Sequence, residues 1–81
     1  MDYKDFSGFI NNNNISIEYC GLVPNYGVDG SFDCYAHAFR AKTPDETLYD
    51  YLLLRVKDKF NLTKEIADWG DRLSGYLNAI S

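Results

Sequence analysis

Histidine and cysteine are scarce in this sequence, which has one of the first and two of the second in 81 residues. Zinc sites draw mostly on these two side chains, and no Cys-x-x-Cys spacing is present. His37 follows Cys34 by three residues, so on a strand the two side chains would lie on opposite faces and could not form a nucleophile–base pair. The sequence also lacks a glycine-rich phosphate loop and a nucleophile motif. We therefore expect no metal, no cofactor and no enzymatic activity.

Long apolar runs are missing as well. The longest, residues 51–54, is far too short to cross a bilayer, and the charged residues 1–5 do not lead into the apolar stretch of a signal peptide. These absences predict a cytoplasmic protein without membrane contact. In that reducing compartment Cys20 and Cys34 are expected to be free thiols, with a disulfide between them as the alternative.

Basic residues are outnumbered by acidic ones. Eight Lys and Arg stand against twelve Asp and Glu, and the net charge is -4. Because contacts of basic side chains with phosphate supply nearly all non-specific affinity for nucleic acids, direct nucleic-acid binding is not expected. A negatively charged surface suits a basic protein partner instead.

Aromatic side chains, in contrast, are abundant. The sequence has seven Tyr, five Phe and one Trp, and 46% of its residues are hydrophobic. A chain of this length buries only about 60–65% of the surface that its unfolded form exposes, so a stable fold requires a dense core. The composition provides one, and we expect a single folded domain over residues 1–81.

The first half of the chain predicts one helix and two strands. Aromatic and aliphatic residues at helical spacing indicate a helix over residues 2–10, with Asp2 as its N-cap. Residues 15–23 are rich in β-branched and aromatic side chains and end before Pro24, which a strand interior would not tolerate. A turn over residues 25–30 contains two glycines, and residues 31–41 form the second strand of an antiparallel hairpin.

The second half predicts two helices. Thr43 as N-cap, Pro44 in the first turn and Glu46 three residues after Thr43 form a capping box, which favours a central helix over residues 44–60. Thr63 is expected to cap a last helix that ends near residue 80, in which glycines mark close approach of a neighbouring element. The predicted fold is a small α+β domain, an antiparallel hairpin with helices packed on it in the order α-β-β-α-α.

The two faces of the hairpin are expected to differ in kind. With a turn centred near Gly27, one face is expected to carry four opposed pairs: Leu22 and Phe32, Cys20 and Cys34, Glu18 and Ala36, and Ser16 and Ala38. That face carries small side chains, which would let the central helix lie close to the sheet. The opposite face is bulky and aromatic, with members Ile15, Ile17, Tyr19, Tyr35, His37 and Phe39.

Two interpretations of the aromatic face remain open. Either the N-terminal helix covers it through Phe6 and Phe9, so that both faces belong to the core, or Tyr19, Tyr35 and His37 stay partly exposed as a contact patch. Tyrosine is enriched at the energetic centres of protein interfaces, which gives the second interpretation its physical basis.

By elimination, the sequence favours a small protein-binding module that inhibits a basic partner, such as a nucleic-acid-binding complex, by steric occupation of its surface. Small proteins of phages and mobile elements that block host defence, including anti-CRISPR and anti-restriction proteins, have this size and charge. The candidate contact residues are acids that would meet a basic groove and an aromatic group that would anchor the contact: Asp29, Asp33, Asp68, Asp71, Tyr19, Tyr35 and His37. The alternative is a homodimeric structural or regulatory subunit without catalytic activity, because a two-stranded hairpin leaves two open edges.

Overall fold

Three strands and two helices make up the computed structural model, which describes residues 1–80. The chain forms α1 (Tyr3–Asn12), β1 (Ser16–Tyr26), β2 (Phe32–Lys42), β3 (Tyr49–Arg55) and α2 (Leu62–Ile80). The strands form one antiparallel sheet in the order β1-β2-β3, with β2 in the middle. The prediction of a small α+β domain is confirmed, but the order is α-β-β-β-α, so the predicted order is wrong in one element.

That element is the central helix expected over residues 44–60, which is a turn followed by β3. Along β3 burial alternates with a period of two: Leu52 and Leu54 are buried, whereas Tyr51, Leu53 and Arg55 are exposed. Such alternation belongs to a strand with one covered face. The apolar residues that seemed to surround a buried helix therefore lie on two faces of a sheet.

The residues that favoured a helix start form the β2–β3 turn instead. The Thr43 hydroxyl oxygen accepts a hydrogen bond from the Leu48 amide at 3.1 Å, and the same hydroxyl donates to the Asp45 carboxylate at 2.8 Å. That carboxylate also accepts from the Thr47 amide at 3.2 Å, and Glu46 has a positive φ of 59°. Threonine and aspartate stabilise turns by the same side-chain bonds with which they cap helices. Local sequence alone could not distinguish the two outcomes.

The β1–β2 turn comes later than predicted. β1 continues through Pro24 to Tyr26, which is possible because β1 is an edge strand and one of its sides needs no ladder donors. As a result Cys34 lies opposite Asn25, and the predicted opposition of Cys20 and Cys34 is wrong. Both cysteines are free, Cys20 exposed and Cys34 buried.

A β-bulge divides β1. The register shifts between Tyr19 and Gly21, so Cys20 has no partner on β2, and Gly21 has a φ of 90°, a conformation that favours glycine. The extra residue changes the alternation of side chains along the strand. Leu22 consequently lies on the same face as Tyr19 and opposite His37, instead of on the face of small residues.

One face of the sheet, here called the helix-side face, packs against both helices. Leu52 and Leu54 of β3 join Trp69 and Leu73 of α2 and Phe6 of α1 in the core. The Trp69 indole, almost fully buried, donates from Nε1 to the Asp50 carboxylate at 2.7 Å, which satisfies its one polar group. This packing places α2 against β3 and α1.

The helix ends are capped by side chains. The Asp2 carboxylate accepts from the Asp5 amide at 2.8 Å, as predicted for α1. At α2 the Asn61 side chain accepts from the Lys64 amide at 3.2 Å and takes the position expected of Thr63. Neither helix within residues 1–80 combines the length and apolarity that a membrane span needs.

The other face of the sheet, here called the open face, carries the small residues of β2. The expectation that a helix covers Ala36 and Ala38 is wrong, since the core of both described helices lies on the helix-side face. The two alanines are nevertheless buried, because they are shorter than their neighbours Val23, Leu53 and Arg55 on the flanking strands.

Candidate protein-binding surface

The β1–β2 hairpin extends beyond the rest of the sheet. β3 pairs only with residues 36–42 of β2, so the first residues of β2 and their partners on β1 have no third strand beside them. A cluster of apolar side chains, each about half exposed, begins on this part of the hairpin and continues along β1 into the three-stranded part. We call this cluster, together with His37, the hairpin surface; its members are Tyr19, Leu22, Tyr26, Phe32 and Tyr35.

The aromatic rings of the hairpin surface contact one another. The Phe32 ring meets Tyr26 with centroids 6.3 Å apart and Tyr35 with centroids 5.2 Å apart, both edge to face. This geometry is favourable for aromatic pairs. It also restricts the rotamers of the rings before any partner is present, which lowers the entropy that binding would cost.

Tyr19 and His37 form the inner end of the surface. The Tyr19 hydroxyl lies 2.9 Å from Nδ1 of His37, and the Tyr19 ring also packs on Phe39 with centroids 5.2 Å apart. Tyr19 lies opposite Phe39 and His37 lies opposite Leu22, so the hydrogen-bonded pair is a diagonal neighbour pair on one face. The Tyr19 hydroxyl and Nδ1 of His37 are thus each other's partners.

A cavity of about 310 Å³ opens beside this pair. The sheet supplies one wall. Phe60, in the connection between β3 and α2, and Leu62, the first residue of α2, supply the other. The Phe60 ring stands edge to face with the His37 ring, with centroids 6.4 Å apart. All lining side chains are apolar or aromatic and none carries a fixed charge: Tyr19, His37, Phe39, Leu54, Phe60 and Leu62.

The two predicted acids of the hairpin have different partners. Asp29, in the turn, accepts from the Ser31 hydroxyl at 2.7 Å and from the Ser31 amide at 3.1 Å, and these bonds hold the pKa of Asp29 below its usual range. Asp33 binds the Lys57 ammonium at 2.5 Å and lies 3.5 Å from the Arg55 guanidinium; the Lys57 bond is the largest cause of its lowered pKa. Asp33 is therefore already neutralised within the chain, whereas Asp29 has no basic partner among the described residues.

The other two predicted acids lie on α2. Asp68 binds Lys64 at 2.7 Å, and Asp71 binds the amino group of Met1 at 2.7 Å. Both carboxylates are more than half exposed and neither belongs to the hairpin surface. The structure brings Tyr19, Tyr35 and His37 to one face and Asp29 to the turn beyond it, but it leaves Asp68 and Asp71 on a separate element.

Each interpretation of the aromatic face describes part of it. Ile15, Ile17 and Phe39 pack in or against the core together with Phe6 and Phe9. Tyr19 and Tyr35 are 52% and 51% exposed, and His37 is half-buried. The face is core where the helices reach it and surface where the hairpin extends beyond them.

Sequence reasoning missed several members of this region. Leu22 was placed on the wrong face, and Tyr26 was assigned to the turn. Phe60 was assigned to the end of the central helix, and Leu62 to the break that follows it. A glycine inside a strand pattern is a known signal of a bulge, so Gly21 could have corrected the position of Leu22. The cavity itself had no sequence signal, because it depends on where the β3–α2 connection passes.

The open face carries a second row of exposed side chains on β3. Tyr49, Tyr51 and Leu53 are each nearly half exposed, and the two tyrosine hydroxyls are 2.9 Å apart. The hydrogen bond with Tyr51, followed by one with Arg40, lowers the pKa of Tyr49. Arg40 also forms an ion pair with Glu18 across the β1–β2 ladder.

Among residues 1–80 no group of three or more His, Cys, Asp or Glu side chains is placed to hold a metal ion. The apolar lining of the cavity likewise offers no set of oxygen or sulfur ligands. Comparisons of the chain with family models, with curated proteins and with solved structures find no match.

Proposed function

We propose that this chain is a small acidic protein-binding module that inhibits a partner by occupying a basic surface of that partner. The observation that supports this proposal is the hairpin surface, a contiguous group of half-exposed apolar side chains on the part of the sheet that the helices do not cover. Single exposed apolar residues are ordinary, but contiguous patches on small proteins mark interaction sites.

The chemistry of the hairpin surface suits an anchor. Tyr19, Tyr26 and Tyr35 each offer a large apolar ring with a polar tip, the kind of side chain that dominates binding energy at interfaces. Their rings pack on Phe39 or Phe32, so they are held in place before binding.

Charge supports a basic partner. The net charge of -4 attracts such a partner over a distance of about one Debye length. The carboxylate of Asp29 lies at the end of the hairpin surface and has no basic neighbour within residues 1–80. Asp68 and Asp71, although paired, stay exposed and contribute to the field around α2. In this proposal they steer the encounter, while Asp29 and the tyrosines form the contact.

A basic groove that normally holds nucleic acid is the partner surface that best matches an acidic ligand with aromatic anchors. Occupation of the groove would then inhibit by steric exclusion and would need no catalysis. The small size and negative charge of the chain also fit cytoplasmic anti-defence proteins of phages and mobile elements, among them anti-CRISPR and anti-restriction proteins.

The second candidate is a homodimeric structural or regulatory subunit. The row of Tyr49, Tyr51 and Leu53 on the open face favours it, because two copies could bury these rows against each other. Dimerisation by pairing of the sheet edges of two copies has less support. The β1 edge contains a bulge and Pro24, and on β3 the carbonyl of Tyr51 already accepts from Arg72 at 2.8 Å.

The experiment that tests the proposal has two steps. Affinity capture with the tagged chain first identifies a bound protein, which is then purified. Titration of the chain into that protein and its nucleic acid should abolish nucleic-acid binding competitively, without modification of either component. Light scattering of the chain alone should give the mass of one 9.3 kDa chain. A dimer mass together with failure to displace nucleic acid would reject the inhibitor and favour the second candidate.

A further inference from the structure

We infer that the cavity beside Tyr19 and His37 receives one bulky uncharged side chain of an extended partner segment, which runs along the hairpin and places a basic residue at Asp29. This inference rests on the proposed function and adds the chemistry of the segment that is recognised. Three observations carry it: the lining of the cavity, the continuity of the hairpin surface and the position of Asp29.

The lining determines what enters the cavity. Its volume of about 310 Å³ lies at the lower end of ligand pockets, and a dry cavity of about half that volume suffices for benzene, so a bicyclic ring has room. The hydroxyl of Tyr19 and Nδ1 of His37 bind each other, which leaves the walls largely carbon. A guanidinium or ammonium group would lose water there without gaining a counter-charge, whereas an aromatic or aliphatic group would not.

The continuity of the surface favours a polypeptide over a small molecule. Tyr19 is both a wall of the cavity and half exposed, and Leu22, opposite His37, continues the apolar surface on the same face. Since a strand rises about 3.3 Å per residue, Tyr19 and Tyr26 are about 20 Å apart along β1. A free ligand would use only the cavity, but an extended segment of about seven residues would cover the whole distance.

The far end of this surface determines the charge of the segment. Asp33 is engaged with Lys57, so Asp29 is the carboxylate that remains for a partner at the turn. Its two bonds from Ser31 fix the orientation of the carboxylate but leave it without a positive neighbour among the described residues. A Lys or Arg at the Tyr26 end of the segment, about 20 Å from the cavity residue, would complement it.

Four probes test the inference on the full chain. Two acetylated and amidated heptapeptides carry Trp at one end, Arg at the other and five Ser between them, in the two possible orders. N-acetyl-tryptophanamide and N-acetyl-argininamide are the single-residue probes. Titrations followed by NMR of the isotope-labelled protein report the affinity of each probe and the residues that it perturbs.

We expect N-acetyl-tryptophanamide to perturb Tyr19, His37 and Phe60 saturably, and one heptapeptide to bind about fivefold more tightly, the gain that one exposed ion pair can give. Asp29→Asn should remove that gain and leave the tryptophanamide unaffected. Leu62→Trp should fill the cavity and abolish binding of both. Leu53→Trp is the matched control, because Leu53 and Leu62 are similarly exposed, at 49% and 44%, and Leu53 lies on the open face.

Three results would overturn the inference. The first is equal affinity of the tryptophanamide and both heptapeptides, which indicates a small-molecule site. The second is displacement of the tryptophanamide by N-acetyl-argininamide, which indicates a site for a cation. The third is the absence of any saturable shift at the cavity with a folded protein.

The captured partner separates this inference from the proposed function. If Leu62→Trp inhibits that partner as well as wild type does, the cavity is not part of the interface and the inference fails while the proposed function stands. If no variant inhibits any partner, the proposed function fails, and the peptide titrations still decide what the cavity accepts.

Discussion

The hydroxyl of Tyr19 lies 2.9 Å from Nδ1 of His37. Tyr19 lies opposite Phe39 and His37 lies opposite Leu22 in the β1–β2 ladder, so the bonded residues are diagonal neighbours. When the neutral imidazole accepts at Nδ1, its proton resides on Nε2. We expect that tautomer to dominate in wild type at alkaline pH and a mixture of tautomers to form in Tyr19→Phe. Long-range ¹H–¹⁵N correlation of the imidazole measures this distribution.

The stability cost of Tyr19→Phe should stay below about 1 kcal/mol, because the bond lies at a half-exposed site and water can replace it. Tyr35→Phe is the control, since it removes a hydroxyl from the same surface at similar exposure and should leave the His37 ring signals unchanged. Identical ring shifts in wild type and Tyr19→Phe would mean that the pair is not hydrogen-bonded in solution.

The two glycines of α2 should respond to alanine in opposite ways. A Cβ at Gly70 would lie 2.6 Å from the Phe6 ring and 2.8 Å from the Met1 sulfur, so Gly70→Ala should destabilise the protein by about 1–3 kcal/mol through overpacking. A Cβ at Gly75 would have nothing within 4 Å, so Gly75→Ala should stabilise the helix by up to about 1 kcal/mol. Urea unfolding measures both; equal signs would contradict the packing of α1 on α2.

The sequence predicted an element correctly where its local signals and the burial of its side chains in the fold favour the same secondary structure. For α1 they agreed, because the Asp2 cap and the apolar spacing both indicate a helix that starts there. The sequence also indicated a close approach at both glycines of α2. Phe6 makes it at Gly70, but at Gly75 the prediction is wrong, because a Cβ there would have nothing within 4 Å. For β3 they conflicted. The Thr43 capping signal favoured a helix, but burial of one face of a strand determined the outcome.

Prediction of the candidate surface was limited by the register of β1 against β2. The bulge at Gly21 and the later turn move Leu22 and Cys34 to new partners. Gly21 is a sequence signal of the bulge, but residue types alone do not place the later turn. The sequence did group Tyr19, Tyr35 and His37 on one face, because alternation holds within each undisturbed stretch of strand. It could not place the β3–α2 connection, on which the cavity depends.

Stability should fall in acid partly through the β2–β3 turn. The bond from the Thr43 hydroxyl, followed by those from Thr47, holds the pKa of Asp45 below its ordinary value of 3.8. A carboxyl with a lowered folded-state pKa contributes its full stabilisation above the unfolded value and loses it as the pH falls through the folded value. The free energy of unfolding should therefore decline below about pH 4 in wild type, and less steeply in Asp45→Asn.

A pair of variants at Thr43 isolates the cause. Thr43→Val removes the hydroxyl that donates to Asp45 and should reduce the acid dependence, but less than Asp45→Asn does, because the bonds from Thr47 remain. Thr43→Ser keeps that donor and should retain the wild-type dependence. The measurement is urea unfolding over a series of pH values from neutral to strongly acidic. Equal slopes in the valine and serine variants would assign the acid dependence to other carboxylates.

Association with a basic partner should depend on the acids of α2 through steering. Asp68 and Asp71 are exposed, so their reversal to Lys should cost less than about 0.5 kcal/mol of stability, while it lowers the field that attracts the partner. We expect slower association and a weaker dependence of the association rate on salt, with dissociation unchanged. Stopped-flow binding at several ionic strengths measures both rates. A salt-independent association rate in wild type would exclude the steering mechanism.

Anchoring by the hairpin surface should affect dissociation instead. Tyr35 is 51% exposed and contacts Phe32 through its ring, so Tyr35→Ala should leave the domain folded and speed dissociation about tenfold or more, as the loss of an interface anchor does. Tyr49→Ala is the matched control, because Tyr49 is 47% exposed and lies on the open face. If Tyr49→Ala speeds dissociation and Tyr35→Ala does not, the open face is the interface. If Tyr35→Ala unfolds the protein in circular dichroism, the hairpin aromatics belong to the core, and the contact must lie elsewhere.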